Sequence, residues 1–252
     1  MIVVDLRPHS AASQLKAVHR RLKLHSQLAC RATTRSRALD APKAATAAVA
    51  SSKHVLLFDV MDTIVWDPFF TKTPEFLGMT LKELFAVKHP QTWSKFERGE
   101  INEAALFKDF FQDGRSFDGA GLKQAMVSSY CYQPGMQQLL QQLHQAKVPM
   151  HVMSNYPAWW QYIEDQLGLS QYLSWTFISC EGPMKGKRKP EPEGFKAVEE
   201  HLGLGDTSAG AQLVLIDDRL PNVEGALQAG WDAIHFRDAD QLKGELQQRN
   251  LL

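Results

Sequence analysis

Short apolar runs alternate with longer amphipathic stretches over most of the chain after residue 53. The predicted strands lie at about 54–58, 148–153, 175–178, 213–216 and 233–236. Strands that are buried on both faces read as continuous β-prone runs, and the stretches between these runs read as helices. The alternation therefore predicts an α/β fold built on a doubly wound, Rossmann-like parallel sheet.

A second, helical module is predicted between the first two strands, because the chain between them is much longer than a crossover helix requires. Its amphipathic stretches are residues 81–90, 101–114 and 120–132. Phe107, Phe110 and Phe111 recur at helical spacing, which favours a place in the core of the module. The expected domains are a core of residues 53–67 and 133–252 and an inserted helical cap of residues 68–132.

Polar residues stand where several of the apolar runs end. The candidates are Asp59 after the first run, Ser154 and Asn155 after the second, Lys189 before Pro190, and Asp217 and Asp218 after the fourth run. Each alone has an ordinary explanation, such as a helix cap, a solvated loop or an acidic turn. Together they predict a site for a small anion, because the carboxyl ends of parallel strands open on the ligand crevice. The adjacent carboxylates of Asp217 and Asp218 repel each other, which a divalent cation would relieve.

The ordered set resembles the motifs of the haloacid dehalogenase (HAD) superfamily over roughly residues 54–240. The stretches FDVMDTIVWDPFF, KHPQTWSKFERGEI, YLSWTFISC and GKRKPEPEGF are similar to those of the plant chloroplast FMN hydrolases within that superfamily. The resemblance implies a HAD fold with a helical cap and a Mg²⁺-dependent phosphatase that hydrolyses FMN to riboflavin and phosphate.

The same resemblance implies roles for individual residues. Asp59 would be the nucleophile that forms an aspartyl-phosphate, and Lys189 would offset the negative charge of the reacting groups. Ser154 and Asn155 would hold phosphate oxygens. The implied Mg²⁺ ligands are Asp59, the backbone carbonyl of Met61, and Asp218 as the first choice of the acidic pair, with Asp217 as a ligand or an outer acceptor.

Residues near these positions receive weaker expectations. Thr63 would hydrogen-bond the Asp59 region or serve only in a turn. Asn222 would orient metal-bound water. The remaining cations of the basic loop, Lys185, Lys187 and Arg188, would form a solvated surface.

Met61 departs from the superfamily pattern, since phosphatases of this kind usually carry a second aspartate there to protonate the leaving alcohol. Methionine cannot donate a proton, and such help is typically worth about 10²–10⁴-fold in rate. Asp62 is the candidate substitute. Three alternatives remain: a phosphatase for another flavin-pathway or sugar phosphate, a metal-independent dehalogenase, and a non-catalytic binder of phosphorylated ligands.

Aromatic residues flank two of the predicted site loops: Trp66, Phe69 and Phe70, and Tyr156, Trp159 and Trp160. Their rings could stack on an isoalloxazine ring. Packing of the cap hinge and the following helix is an equally good explanation for Phe70 and Trp160.

Charge is distributed unevenly along the chain, although the net charge is zero. Residues 1–53 hold ten Lys and Arg against Asp5 and Asp40, which leaves an excess of eight acidic residues in the remainder. The basic, Ala- and Ser-rich leader over residues 1–52 is typical of an organelle transit peptide, and a disordered nucleic-acid-binding arm is the alternative. We expect import into the chloroplast stroma, with the mitochondrion as the alternative. The acidic remainder argues against nucleic acid as a partner, and no apolar run predicts a membrane span.

Overall fold

The computed structural model describes residues 54–204 and 212–252. The predicted leader over residues 1–52 lies outside the described residues. Within them, no helix combines the length and the apolar character that crossing a membrane would require.

Five parallel strands form one sheet in the order β3-β2-β1-β4-β5, and this confirms the predicted fold class. The strands are β1 (His54–Phe58), β2 (Met150–Ser154), β3 (Ser174–Ile178), β4 (Gln212–Asp217) and β5 (Asp232–His235). Neighbouring residues of β1 enter different clusters on the two faces of the sheet, Leu56 and Phe58 on one and Val55 and Leu57 on the other. Both faces of β1 are therefore buried, which explains its unbroken apolar sequence.

Ten α-helices occupy the described part of the chain. They are α1 (Phe69–Leu77), α2 (Leu81–Val87), α3 (Thr92–Glu97), α4 (Glu103–Lys108), α5 (Gly119–Val127), α6 (Met136–Gln145), α7 (Trp160–Leu167), α8 (Pro192–Leu202), α9 (Leu220–Gln228) and α10 (Ala239–Gln248). Helices α1 to α5 lie in residues 68–132, which we call the cap segment. The local sequence sets several of their ends: Thr80 and Glu83 form a capping box at the start of α2, and Gly78 ends α1 at φ 64°.

The helix predicted over residues 101–114 is shorter than expected. Helix α4 ends at Lys108, and the next residues pair with the end of α2 instead. The His89 amide donates to the Phe110 carbonyl (2.8 Å), and the Gln112 amide donates to the Val87 carbonyl (3.0 Å). Phe110 and Phe111 are nevertheless buried, so their predicted place in the core is correct although the helix does not reach them.

A buried histidine of β2 should make the protein sensitive to acid. His151 lies on Thr176, with 2.8 Å between Nδ1 and the hydroxyl oxygen. Burial, aided by the charge of His201, lowers the pKa of His151 to about 4. The unfolded chain, with a pKa near 6.5, then binds more protons than the folded chain. The contribution of His151 to stability is therefore complete above about pH 6.5 and is lost as the pH falls towards 4, by about 2–3 kcal/mol at pH 4.5.

Urea unfolding of the wild type and of His151→Gln at pH 7.5 and 4.5 measures this effect. The wild type should lose about 2–3 kcal/mol more than the variant between the two pH values. His144→Gln, at an exposed position, is the matched control and should follow the wild type. Equal acid sensitivity of His151→Gln and the wild type would contradict the assignment.

Candidate active site

The carboxyl edge of the sheet carries the candidate residues, as expected for strands that run in parallel. Asp59 directly follows β1, and its backbone amide donates to the Ile216 carbonyl of β4 (2.9 Å). Ser154 is the last residue of β2, and Asp217 is the last residue of β4. All three are buried. Three strands therefore deliver polar side chains to one place.

Lys189 lies between two of these carboxylates. Its Nζ is 3.1 Å from Oδ1 of Asp59 and 2.6 Å from Oδ2 of Asp217. Burial opposes the charge of this fully buried side chain, but the two carboxylates outweigh it and hold the pKa of Lys189 above its ordinary value. Burial raises the pKa of Asp59 to about 6; Lys189 opposes the rise and Asp217 adds to it. The site is a compact, desolvated cluster with more negative than positive groups.

Asp217 is surrounded by hydrogen-bond donors. Oδ1 accepts from the Arg219 amide (2.8 Å) and from Nδ2 of Asn222 (3.0 Å), and Oδ2 accepts from Lys189 and also from Asn222 (3.0 Å). Both carboxylate oxygens of Asp217 are therefore hydrogen-bonded, and they hold Lys189, Asn222 and the Arg219 backbone in position. Asn222 thus contacts Asp217, and its predicted role towards metal-bound water stays a prediction.

Three carboxylates are close enough together to hold a metal ion. One oxygen each of Asp59, Asp217 and Asp218 lies within 4.8 Å of the other two. Carboxylate oxygens are hard ligands of the kind that Mg²⁺ prefers, and Mg²⁺ needs only one or two of them besides water. The residues present therefore fit a magnesium ion.

Asn155 contacts Lys189 in the structure. Its Nδ2 donates to the Lys189 carbonyl (2.8 Å), and its Oδ1 accepts from the Lys189 amide (2.9 Å). This paired contact fixes the backbone from which the Lys189 side chain enters the site. The sequence did not indicate this positioning contact, and the phosphate contact predicted for Asn155 stays a prediction.

The Thr63 side chain does not make the hydrogen bond that was expected. Its hydroxyl is buried, and among the described residues it has no hydrogen-bond partner. The Thr63 amide donates to the Val60 carbonyl (3.3 Å) within a tight turn. The turn role is the one that the structure supports.

The basic loop is not wholly a solvated surface, and the prediction for Arg188 is wrong. Nη1 of Arg188 donates to the Ser94 hydroxyl (2.8 Å), and Nη2 lies 3.3 Å from Oε2 of Glu97. Arg98 bonds the same loop, forming a two-pronged ion pair with Glu191. These contacts tie helix α3 and the residue after it to the loop that carries Lys189. Pairs separated by about 90 residues leave no periodic signal in a sequence, so Ser94, Glu97 and Arg98 were missed.

Asp62 adopts a left-handed conformation with φ 58°, which is uncommon for a residue with a side chain. Its Oδ1 accepts from the backbone amide of Asp67 (3.2 Å) and from Nε2 of Gln133 (3.4 Å). The side chain therefore closes the turn that follows Asp59. Asp67, which this turn brings back to Asp62, was not among the predicted site residues.

Most of the aromatic residues proposed for flavin stacking are packed between the cap segment and the core. The rings of Phe69, Tyr156 and Trp159 lie 5.6, 6.4 and 5.8 Å from the ring of Trp93. All three side chains are buried, and Trp160 packs on Trp175 at 4.9 Å. The packing explanation therefore holds for these rings, and for Phe70, which lies edge-on to Phe69.

The parallel sheet, with a buried lysine between carboxylates at its carboxyl edge, defines an enzyme of the doubly wound α/β class. The chain belongs to the haloacid dehalogenase-like hydrolase family, whose model matches residues 55–230. The predicted superfamily is thereby confirmed, and the protein is a hydrolase.

Individual relatives support this assignment. Flavin mononucleotide hydrolase 1 of Arabidopsis thaliana, a chloroplastic protein by its name, is 48% identical over 192 residues, which are 76% of each chain. A sesquiterpene phosphatase of Aspergillus oryzae is 29% identical over 178 residues, 68% of this chain and 85% of the other. A HAD family enzyme of Bacteroides thetaiotaomicron, solved with magnesium and inorganic phosphate, has a TM-score of 0.57 at 20% identity and covers 74% of this chain and 95% of the other. The first of these confirms the predicted similarity to the plant FMN hydrolases, and the last supports the fold.

Proposed function

We propose that this protein is a magnesium-dependent phosphatase that hydrolyses FMN to riboflavin and phosphate. The observation that carries the chemistry is Lys189 between Asp59 and Asp217, with a carboxylate of Asp218 within 4.8 Å of both acids. The 48% identity to a flavin mononucleotide hydrolase supports the substrate. A dehalogenase has no use for the third carboxylate, so its presence favours phosphoryl transfer.

In the first step an oxygen of Asp59 attacks the phosphorus atom, and the bond to the flavin ribityl oxygen breaks. Lys189, held at 3.1 Å from Asp59, balances the negative charge that the two reacting groups share. Ser154, with Asn155 behind it, would hold phosphate oxygens. Water then hydrolyses the aspartyl-phosphate and restores Asp59.

Magnesium would be held by Asp59, Asp218 and the Met61 carbonyl, with Asp217 orienting the groups around it. Bound there, it supplies neutralisation of the charge on the phosphoryl oxygens. Asp217 and Asn222 keep this arrangement rigid through the hydrogen bonds described above.

The cap segment would act as a lid that selects the substrate. Asp59 is only 6% exposed in this arrangement, so a substrate as large as FMN requires the cap segment to move. The contacts that must open are those of Arg98 and Arg188 with Glu191 and Glu97. These contacts reach the Lys189 loop directly, which would couple closure to the placement of Lys189.

Residues 1–52 would direct the protein to the chloroplast. Their basic and acid-poor composition and the chloroplastic relative support this assignment. A fusion of these residues to a fluorescent protein should collect in chloroplasts, and accumulation in mitochondria would favour the alternative.

The direct test of the function is phosphate release from FMN by the full 252-residue chain with Mg²⁺, in parallel with a set of sugar phosphates. Release from FMN supports the proposal. Release from sugar phosphates but not FMN would retain the chemistry and reject the substrate. Chloride release from a 2-chloro acid, without phosphate release, would identify a dehalogenase.

Removal of divalent metal should abolish the activity. In EDTA, the turnover of FMN should fall by at least about 10²-fold, because the carboxylates and the phosphate then repel each other with no divalent cation to neutralise their charge. Excess Mg²⁺ should restore the rate. Activity that persists in EDTA after dialysis would contradict the metal-dependent mechanism.

A further inference from the structure

The turn after Asp59 brings Asp67 back towards the position of Met61. The Asp62 amide donates to the Val65 carbonyl (2.7 Å), and Met61 forms an isolated bridge with Val65. The Asp67 amide then donates to Oδ1 of Asp62 (3.2 Å). Asp67, eight residues after the proposed nucleophile in sequence, therefore lies against the residue next to Met61.

Asp62 and Asp67 differ in how their oxygens are used. Oδ1 of Asp62 accepts two hydrogen bonds, from the Asp67 amide and from Nε2 of Gln133. Oδ1 of Asp67 accepts from the Phe69 amide at the start of α1 (2.9 Å), whereas its Oδ2 has no hydrogen-bond partner among residues 54–204 and 212–252. Oδ2 of Asp67 is therefore the oxygen available to carry a proton.

The charged groups around Asp67 place it at the junction of the core and the cap segment. Arg219, the exposed residue after Asp218, acts on it from the core, and Glu97 acts on it from α3. The negative charge of Asp59 also acts on Glu97, so this junction borders the reaction centre. The titratable groups that face Asp67 are Asp62 in its own loop, Glu97 in α3, Tyr130 before α6, Tyr156 after β2 and Arg219 after β4.

We propose that Asp67 is the proton donor that protonates the leaving alcohol in place of the acid that Met61 lacks. This inference rests on the proposed phosphatase function. As the bond between phosphorus and the ester oxygen breaks, its electron pair passes to that oxygen, which takes the proton from Oδ2 of Asp67. Water then attacks the aspartyl-phosphate and carries both of its protons into the released phosphate, while the Asp67 carboxylate takes up a proton from solvent, which returns both aspartates to their starting states.

The environment of Asp67 suits this role. Burial and the neighbouring charge of Asp62 raise the pKa of Asp67 to about 7, with the Phe69 amide and Arg219 acting in the opposite direction. A general acid works best when its pKa is near the working pH. Asp67 would thus be partly protonated at neutral pH and able to give a proton to the leaving oxygen.

The test compares an alkyl phosphate with an aryl phosphate in the full chain with Mg²⁺. FMN leaves as an alkoxide that needs a proton, whereas p-nitrophenyl phosphate leaves as a stable phenolate that does not. Asp67→Asn keeps an oxygen for the Phe69 amide but cannot donate the proton. Its kcat should fall by about 10²–10⁴-fold for FMN and by less than about threefold for p-nitrophenyl phosphate. Asp113→Asn, an exposed aspartate of the cap segment, is the matched control and should match the wild type on both esters.

Equal losses of Asp67→Asn on both esters, or an unchanged kcat for FMN, would overturn the inference. If the variant does not fold, the wild-type pH profiles decide the question. The kcat for FMN should decline above about pH 7 while that for p-nitrophenyl phosphate does not, and coincident profiles would overturn the inference.

The wild-type substrate range separates this inference from the proposed function. A wild type that turns over a sugar phosphate but not FMN rejects the substrate alone, and the same comparison is then made with that sugar phosphate. Turnover of p-nitrophenyl phosphate alone keeps the phosphatase chemistry and overturns the proton donor. A wild type with no phosphatase activity overturns both.

Discussion

Asp59→Asn should release phosphate from FMN on the order of 10⁴-fold or more slowly than the wild type, which is the scale of loss when a covalent nucleophile is removed. An amide nitrogen or oxygen at this position is a poor nucleophile, and it no longer supplies a charged ligand for a metal ion. The fold should persist, because Asn has nearly the same shape as Asp and Lys189 keeps its 2.6 Å contact with Asp217. The measurement is single-turnover phosphate release, combined with a titration of FMN binding.

The titration separates loss of chemistry from loss of binding. FMN affinity of Asp59→Asn should stay within about tenfold of the wild type, since the phosphate donors and the cap segment are unchanged. Asp165→Asn, at an exposed position in α7, provides the matched control and should retain full activity. Residual activity within tenfold of the wild type would show that water attacks the phosphate directly and that Asp59 is not the nucleophile.

The sheet could be predicted from sequence because its strands are buried on both faces. Continuous apolar runs such as LVLI in β4 have no equally good alternative, and each is followed by the polar residue that marks its carboxyl end. Helix ends in the cap segment were less predictable. The apolar residues Phe110 and Phe111 fit a helical period. Their segment instead forms backbone hydrogen bonds with the end of α2, so the backbone groups that a longer α4 would need are already paired.

The residues that meet at the carboxyl edge of the sheet were predictable for the same reason, since strand ends place Asp59, Ser154 and Asp217 together. The contacts that hold these residues in position were not predictable. Asn155 was expected to face a phosphate, but it bonds both backbone groups of Lys189, and that pairing depends on how two distant loops meet. Arg188 contacts Glu97 because α3 packs against the loop that carries Lys189. Asp67 lies at the junction of the core and the cap segment because the left-handed Asp62 closes the turn before it.

Lys189→Met should lower the free energy of unfolding by about 3–5 kcal/mol at pH 7.5 and reduce FMN turnover by at least about 10²-fold. Methionine fills much of the space of the lysine stem, so the loss comes chiefly from the missing charge. Asp59 and Asp217, which lie 3.1 and 2.6 Å from Nζ in the wild type, would face each other in a buried site with no cation between them. Urea unfolding and steady-state phosphate release measure the two effects.

The stability deficit of Lys189→Met should shrink as the pH falls from 7.5 to 5.5. The pKa of Asp59 is already raised to about 6 with Lys189 present, and loss of that cation raises it further. A carboxyl group whose pKa is higher in the folded chain than in the unfolded chain takes up its proton first in the fold, so acid stabilises the variant relative to neutral pH.

Mg²⁺ should act in the same direction at pH 7.5, because a cation on Asp59 and Asp218 replaces part of the lost charge. Lys185→Met, at an exposed position in the same loop, should show neither effect. If the stability deficit of Lys189→Met changes with neither pH nor Mg²⁺, Lys189 stabilises the fold by packing, and the electrostatic account of the site is wrong.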